Sequence, residues 1–136
     1  MREAPAQRPP GGVLSKQSMI SIVDDDQSFR DSMRRLVRSL GYSGAVFGSA
    51  AEFLESPGFA ATDCLVADIH MPEMSGVELY RHLVETGRGI PTILVTAYPD
   101  DRVQQRMLHE GVQCYLRKPL EEAVLIDCLH SAVTRR

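Results

Sequence analysis

From residue 19 onward, short apolar runs alternate with stretches of helical period. Met19-Ile20-Ser21-Ile22-Val23 predicts a strand, and Phe29, Met33, Leu36, Val37 and Leu40 then share one helical face. Gly41 is placed as that helix's C-terminal stop. Ala45-Val46-Phe47 predicts a second strand, and Ser49-Ala50-Ala51-Glu52 has the spacing of a capping box opening a short helix. Cys64-Leu65-Val66-Ala67 predicts a third strand, ending at Asp68. Ser75-Gly76-Val77-Glu78 is a second capping box, whose helix carries Val77, Tyr80, Leu83 and Val84 on its apolar face. Thr92-Ile93-Leu94-Val95 predicts a strand after Pro91, and Asp100 and Asp101 suit the start of a helix containing Val103, Met107 and Leu108. A fifth strand is expected from Val112 to Leu116. A last helix presents Val124, Leu125, Cys128, Leu129 and Ala132. Strands alternating with helices predict an α/β fold with a parallel sheet covered on both faces. Right-handed crossovers make it doubly wound.

Composition narrows the picture. The chain of 136 residues fits one domain. Residues 1–18 hold three prolines and two glycines without apolar periodicity, and are expected to be a flexible leader. The expected domain covers residues 19–134, with 135–136 as a tail. The net charge is −3, but the leader carries +2, leaving −5 on the other 118 residues. An acidic domain argues against direct nucleic-acid binding. No apolar run approaches the roughly 20 residues of a membrane span. Cys64, Cys114 and Cys128 are odd in number and lack metal-type spacing, so a reduced, cytoplasmic protein with buried structural thiols is expected. Thirteen of the fifteen basic residues are Arg; the two lysines are Lys16 in the leader and Lys118 before Pro119.

Ligands of doubly wound sheets bind beyond the carboxyl ends of the strands. The residues predicted there are Asp24, Asp25 and Asp26 after the first strand and Asp68 after the third. Thr96 and Ala97 follow the fourth, and Lys118 the fifth. Crowded carboxylates repel one another unless cations join them. Lys118 supplies one charge, and a hard divalent ion such as Mg²⁺ would supply the rest. A carboxylate beside a metal, an ammonium and a hydroxyl suits phosphoryl transfer onto the carboxylate. Taken singly, each has a plainer role. Asp26 and Asp68 can cap helices, Thr96 fits β-propensity, and a lone Lys is commonly solvated. Their occurrence at successive strand ends is the signal.

The chain resembles the receiver domain of bacterial two-component response regulators. The resemblance rests on Ile22-Val23-Asp24-Asp25-Asp26, on Val66-Ala67-Asp68-Ile69-His70-Met71-Pro72-Glu73-Met74-Ser75-Gly76, on Leu94-Val95-Thr96-Ala97 and on Tyr115-Leu116-Arg117-Lys118-Pro119. FixJ-type receivers, which usually precede a helix-turn-helix output domain, are the most similar. The resemblance implies a flavodoxin-like (βα)5 three-layer sandwich with strand order 2-1-3-4-5. It implies Asp68 as phosphoacceptor, with Mg²⁺ (or Mn²⁺) bound by Asp24, Asp25, Asp68 and the backbone carbonyl of His70. Lys118 is then the partner of Asp68 and of the phosphoryl group, with Thr96 and Ala97 completing the phosphoryl site. Thr96 and Tyr115 are implied as the switch pair, and the Lys118–Pro119 bond as cis. A compact ammonium suits a point contact to a phosphoryl oxygen, which gives the lone Lys a reason. His70 and Tyr98, two positions beyond Asp68 and Thr96, are expected to modulate the dephosphorylation rate by restricting water, slowing it.

The function expected is a phosphorylation-dependent switch and not an enzyme acting on other molecules, although it catalyses its own phosphorylation and dephosphorylation. A sensor histidine kinase or a phosphotransfer protein is the expected donor. The fourth helix, fifth strand and fifth helix form the expected output face, controlling homodimerisation, a downstream effector or a DNA-binding domain outside this chain. One alternative is a receiver that docks without phosphorylation. A haloacid-dehalogenase-type phosphatase would need Asp at the position of His70. A flavin or nucleotide binder would not place three Asp residues after the first strand.

Overall fold

The computed structural model describes residues 17–134; most of the expected leader and the two-residue tail lie outside them. Five strands and five helices alternate. They are β1 (Met19–Val23), α1 (Gln27–Ser39), β2 (Ser43–Phe47), α2 (Ala50–Glu55), β3 (Cys64–Asp68), α3 (Gly76–Glu85), β4 (Thr92–Thr96), α4 (Asp101–Glu110), β5 (Cys114–Arg117) and α5 (Glu122–Thr134). All strand pairs are parallel, in the order β2-β1-β3-β4-β5. The fold is therefore the flavodoxin-like doubly wound sandwich. β3 and β4 are buried at every position, as central strands covered on both faces must be.

Side chains alternate between two cores. On β3, Leu65 and Ala67 join Phe53, Leu79, Leu83 and Met107 beneath α2, α3 and α4. Cys64 and Val66 join Met33, Val37, Leu125 and Leu129 beneath α1 and α5. Ile22 pairs with Val66 and Val66 with Ile93, so three aliphatic side chains cross the sheet in one row facing α1 and α5.

The structure moves several element boundaries. β2 begins at Ser43, because Ser43 and Gly44 pair with Met19 and Ile20 although neither is apolar. A Cβ on Gly44 would come within 2.8 Å of Val37 Cγ2, so the missing side chain lets α1 approach the edge strand. β5 begins at Cys114 because Val112 closes α4, its N–H donating to Met107 O at 3.0 Å. A 3₁₀ turn at Pro57–Ala61, absent from the periodicity, starts with Ser56 accepting the Gly58 N–H. Ser75 and Glu78 form both bonds of a capping box. At α2, Ser49 caps Glu52 N–H, but the Glu52 carboxylate accepts from Gly48 N–H, one residue before the cap.

The cysteine expectation needs correction. Cys114 and Cys128 are joined by a disulfide, with a Cα–Cα separation of 6.4 Å. β5 and α5 are consecutive elements whose inward faces meet in one core, and chain spacing does not encode that meeting. Cys64 is buried in β3, as expected. Among the described residues no helix is long and apolar enough to cross a membrane.

Candidate functional site

Three strand ends deliver the charged groups. β1 ends at Val23, and the chain turns into α1 through Asp24, Asp25 and Asp26. Asp26 is the N-cap of α1, accepting from Ser28 N–H at 3.0 Å and Phe29 N–H at 3.4 Å. Asp24 points inward and is fully buried. Its Oδ1 accepts the Asp26 N–H at 2.9 Å, its Oδ2 accepts from Lys118 Nζ at 2.7 Å, and its backbone carbonyl accepts from the Arg30 guanidinium at 2.8 Å. A buried carboxylate with a donor on each oxygen is a built feature of the fold.

Asp68 ends β3 and is only 6% exposed. Its Oδ1 lies 3.7 Å from Lys118 Nζ, so the ammonium's short contact is with Asp24 and Asp68 is its longer-range partner. Burial, followed by the negative charge of Asp24, pushes the Asp68 carboxyl above the ordinary carboxylate range. Lys118 and the hydrogen bond from the His70 backbone pull the other way. One carboxylate oxygen from each of Asp24, Asp25 and Asp68 lies within 4.8 Å of the other two, with Asp25 exposed toward solvent. Three converging hard oxygens, two on buried residues, fit a divalent cation open to water on one side.

The remaining predicted residues surround this cluster. Thr96 ends β4, fully buried, and its hydroxyl accepts the Tyr98 N–H at 2.9 Å. Its backbone carbonyl accepts the Lys118 N–H at 2.8 Å, tying the β4 end to the lysine. Ala97 follows in the loop. The Lys118–Pro119 peptide is cis. His70 and Tyr98 stand edge-to-face, ring centroids 5.5 Å apart, bridging the loops after β3 and β4. The Tyr115 hydroxyl accepts the N–H of Asp100, the N-cap of α4, at 3.1 Å.

The loop after Asp68 is tightly shaped. Glu73 adopts a left-handed conformation at φ 71°, and Gly76 N–H donates to Ile69 O at 3.1 Å. A Cβ on Gly76 would run into the Asp68 backbone carbonyl, so only glycine lets α3 start this close to the site.

Two residues at the site do more than helical periodicity assigns them. Phe29, read as a core position of α1, has its ring centroid 4.2 Å from Lys118 Nζ. Arg30 clamps the Asp24 carbonyl. Their placement in the first turn after the Asp triplet is the signal that could have found them.

A parallel 2-1-3-4-5 sheet with acidic residues, a hydroxyl and a lysine at one carboxyl edge defines a flavodoxin-like receiver, a signalling module. The chain belongs to the response regulator receiver domain family, whose model matches residues 20–130. It is 34% identical to the response regulator protein TmoT of Ectopseudomonas mendocina, over 98% of this chain and 60% of that protein. It is 32% identical to the transcriptional regulatory protein FixJ of Rhizobium meliloti, over 83% of this chain and 55% of that protein. Among solved structures, that of the response regulator StyR superposes with a TM-score of 0.80 at 36% identity, covering 88% of this chain and 60% of that one. The chain thus spans little more than half the length of these curated relatives. Family membership sets aside the phosphatase and flavin-binder alternatives.

Proposed function

We propose that the chain is a phosphorylation-dependent switch in which Asp68 accepts a phosphoryl group. The observation that carries this reading is the convergence of Asp24, Asp25, Asp68 and Lys118 at one sheet edge, with Asp68 buried between opposing charges. An Asp68 carboxylate oxygen attacks phosphorus in line. The new O–P bond forms as the bond from phosphorus to the donor breaks, and the electron pair leaves with the donor, an imidazole or an acetate. The ammonium of Lys118, 3.7 Å from Asp68, meets the charge on the phosphoryl oxygens. Mg²⁺, or Mn²⁺ in its place, held by Asp24, Asp25, Asp68 and the His70 carbonyl, would neutralise further charge on those oxygens.

The transferred group adds about −1.5 to −2 charges beside Thr96. The Thr96 hydroxyl then turns from its Tyr98 bond toward a phosphoryl oxygen, with Ala97 N–H as a further donor. Movement at Thr96 reaches Tyr115, whose bond to the α4 N-cap makes it the relay to α4, β5 and α5. That face governs homodimerisation or an effector. The similarity to FixJ, a transcriptional regulatory protein, points to transcription, through a DNA-binding domain beyond this chain. The donor is a sensor histidine kinase or a phosphotransfer protein in the cytoplasm.

Incubation with acetyl phosphate and Mg²⁺, followed by intact-mass measurement, tests the reading. One hydroxylamine-labile phosphoryl group is expected on the wild type and none on Asp68→Asn. A chain that takes up no phosphoryl group would leave phosphorylation-independent docking in front.

A further inference from the structure

We infer that Phe29 is a positioning residue for phosphoryl transfer, its ring holding the Lys118 ammonium in place at Asp68. The inference rests on the reading of Asp68 as phosphoacceptor. Lys118 Nζ lies 4.2 Å from the Phe29 ring centroid, 2.7 Å from Asp24 and 3.7 Å from Asp68. One group therefore meets a carboxylate from the loop after β1, a carboxylate from the end of β3 and an aromatic face from α1.

The ring is held by the site itself. Phe29 sits in the first turn of α1, where its N–H faces the Asp26 cap. The next residue, Arg30, donates to the Asp24 carbonyl at 2.8 Å. Beyond this turn the ring is packed against the core shared by α1 and α5. The Asp loop that carries the acidic residues thus also fixes the ring that faces their counter-charge.

Lysine has a flexible four-carbon stem, and the Lys118 side chain is 19% exposed. With an aliphatic neighbour, the ammonium could leave the carboxylates for water. A third carboxylate would confine it but would compete with phosphoryl oxygens for its charge. An aromatic face attracts the cation through the ring quadrupole and carries no net charge. Phe29 therefore confines Lys118 without neutralising it, and leaves its donors available for the phosphoryl oxygens as the O–P bond to Asp68 forms. This role acts on the maximal transfer rate more than on the affinity for a small phosphodonor.

The scarcity of lysine makes the test direct. Isotopically labelled lysine in the full chain gives side-chain signals from Lys16 and Lys118 alone, and Lys118→Arg assigns them. In metal-free wild type, the Lys118 methylene protons next to the ammonium should be shifted upfield by the ring current, and Phe29→Leu should abolish the shift. With acetyl phosphate and Mg²⁺, Phe29→Leu should lower the maximal phosphorylation rate about three- to tenfold, with the half-saturating donor concentration held within about twofold. Phe29→Tyr should restore the rate. Phenylalanines of increasing fluorination at position 29, which keep the shape and drain the ring of electron density, should lower it step by step. Equal rates across the fluorinated series, or a Lys118 signal indifferent to Phe29→Leu, would overturn the inference. A wild type that takes up no phosphoryl group would overturn the functional reading and Phe29's role in transfer together, while the lysine signal would still report the contact.

Discussion

Burial and the neighbouring Asp24 charge make the resting Asp68 a reluctant anion, its carboxyl lifted above the ordinary value of 3.8. The folded chain therefore binds this proton more tightly than the unfolded chain does. Folding takes up protons between the two pKa values, and stability falls as pH rises through that window. Asp68→Asn removes the ionisation. In metal-free buffer it should be more stable than wild type at neutral pH, and the advantage should shrink as pH is lowered and vanish below the unfolded value. Thermal melts across that range check this; an advantage independent of pH would contradict it. The same reluctance favours a cation at the site, which would supply a partner for the crowded charge. The proposed role of His70 and Tyr98 concerns a different step, loss of the phosphoryl group. Their edge-to-face pair bridges the loops after β3 and β4. His70→Ala or Tyr98→Ala should shorten the aspartyl-phosphate lifetime roughly fivefold, the effect of about 1 kcal/mol on the barrier. Lifetimes equal to wild type would remove them from that role.

The helix ends decide how closely the elements can approach the site and each other. Gly111 ends α4 at φ 115°, and a Cβ there would come within 2.8 Å of the Tyr80 hydroxyl on α3. That hydroxyl donates to Glu110 O at 3.1 Å, so α3 and the end of α4 are bonded where the glycine leaves room. Gly111→Ala should cost about 1–3 kcal/mol in urea denaturation, from the left-handed backbone and the crowding together. In a Tyr80→Phe background the crowding part should disappear and the cost should fall toward about 1 kcal/mol; equal costs in both backgrounds would assign all of it to the backbone. Elements of this kind also show what was legible in the chain. β3 and β4 stand out as apolar runs because they are buried on both faces, and Ser75-Gly76-Val77-Glu78 encodes its cap locally. The start of β2 was hidden because Ser43 and Gly44 serve an edge strand and a close helix, which reward small residues. Val112 looked like strand because its apolar side chain does not reveal that its N–H closes α4. The acidic cluster was legible as motif, whereas the Lys118 contacts with Asp24 and Phe29 arise only where distant elements meet, and the Cys114–Cys128 disulfide only where the consecutive β5 and α5 pack into one core.

Over the whole molecule, the site exists only when the sheet does. Asp24 and Asp25 follow β1, Asp68 ends β3 and Lys118 follows β5, so the unfolded chain separates Lys118 from Asp24 by 94 residues. Folding brings like charges together and leaves the electrostatic cost in the native state. A divalent cation that recognises all three carboxylates binds the folded chain and has no comparable site in the unfolded one. Its affinity therefore adds to stability by mass action. At a Mg²⁺ concentration ten times its Kd, wild type should gain about 1.4 kcal/mol, and chelation should remove that gain. Asp25→Asn tests the assignment cleanly, because Asp25 is exposed and no ion pair of its own is at stake among the described contacts. The variant should fold like wild type without metal and lose most of the Mg²⁺-dependent gain in calorimetric melts. An equal gain in Asp25→Asn and wild type would place the ion elsewhere, and with it the charge invoked for the proposed phosphoryl transfer at Asp68.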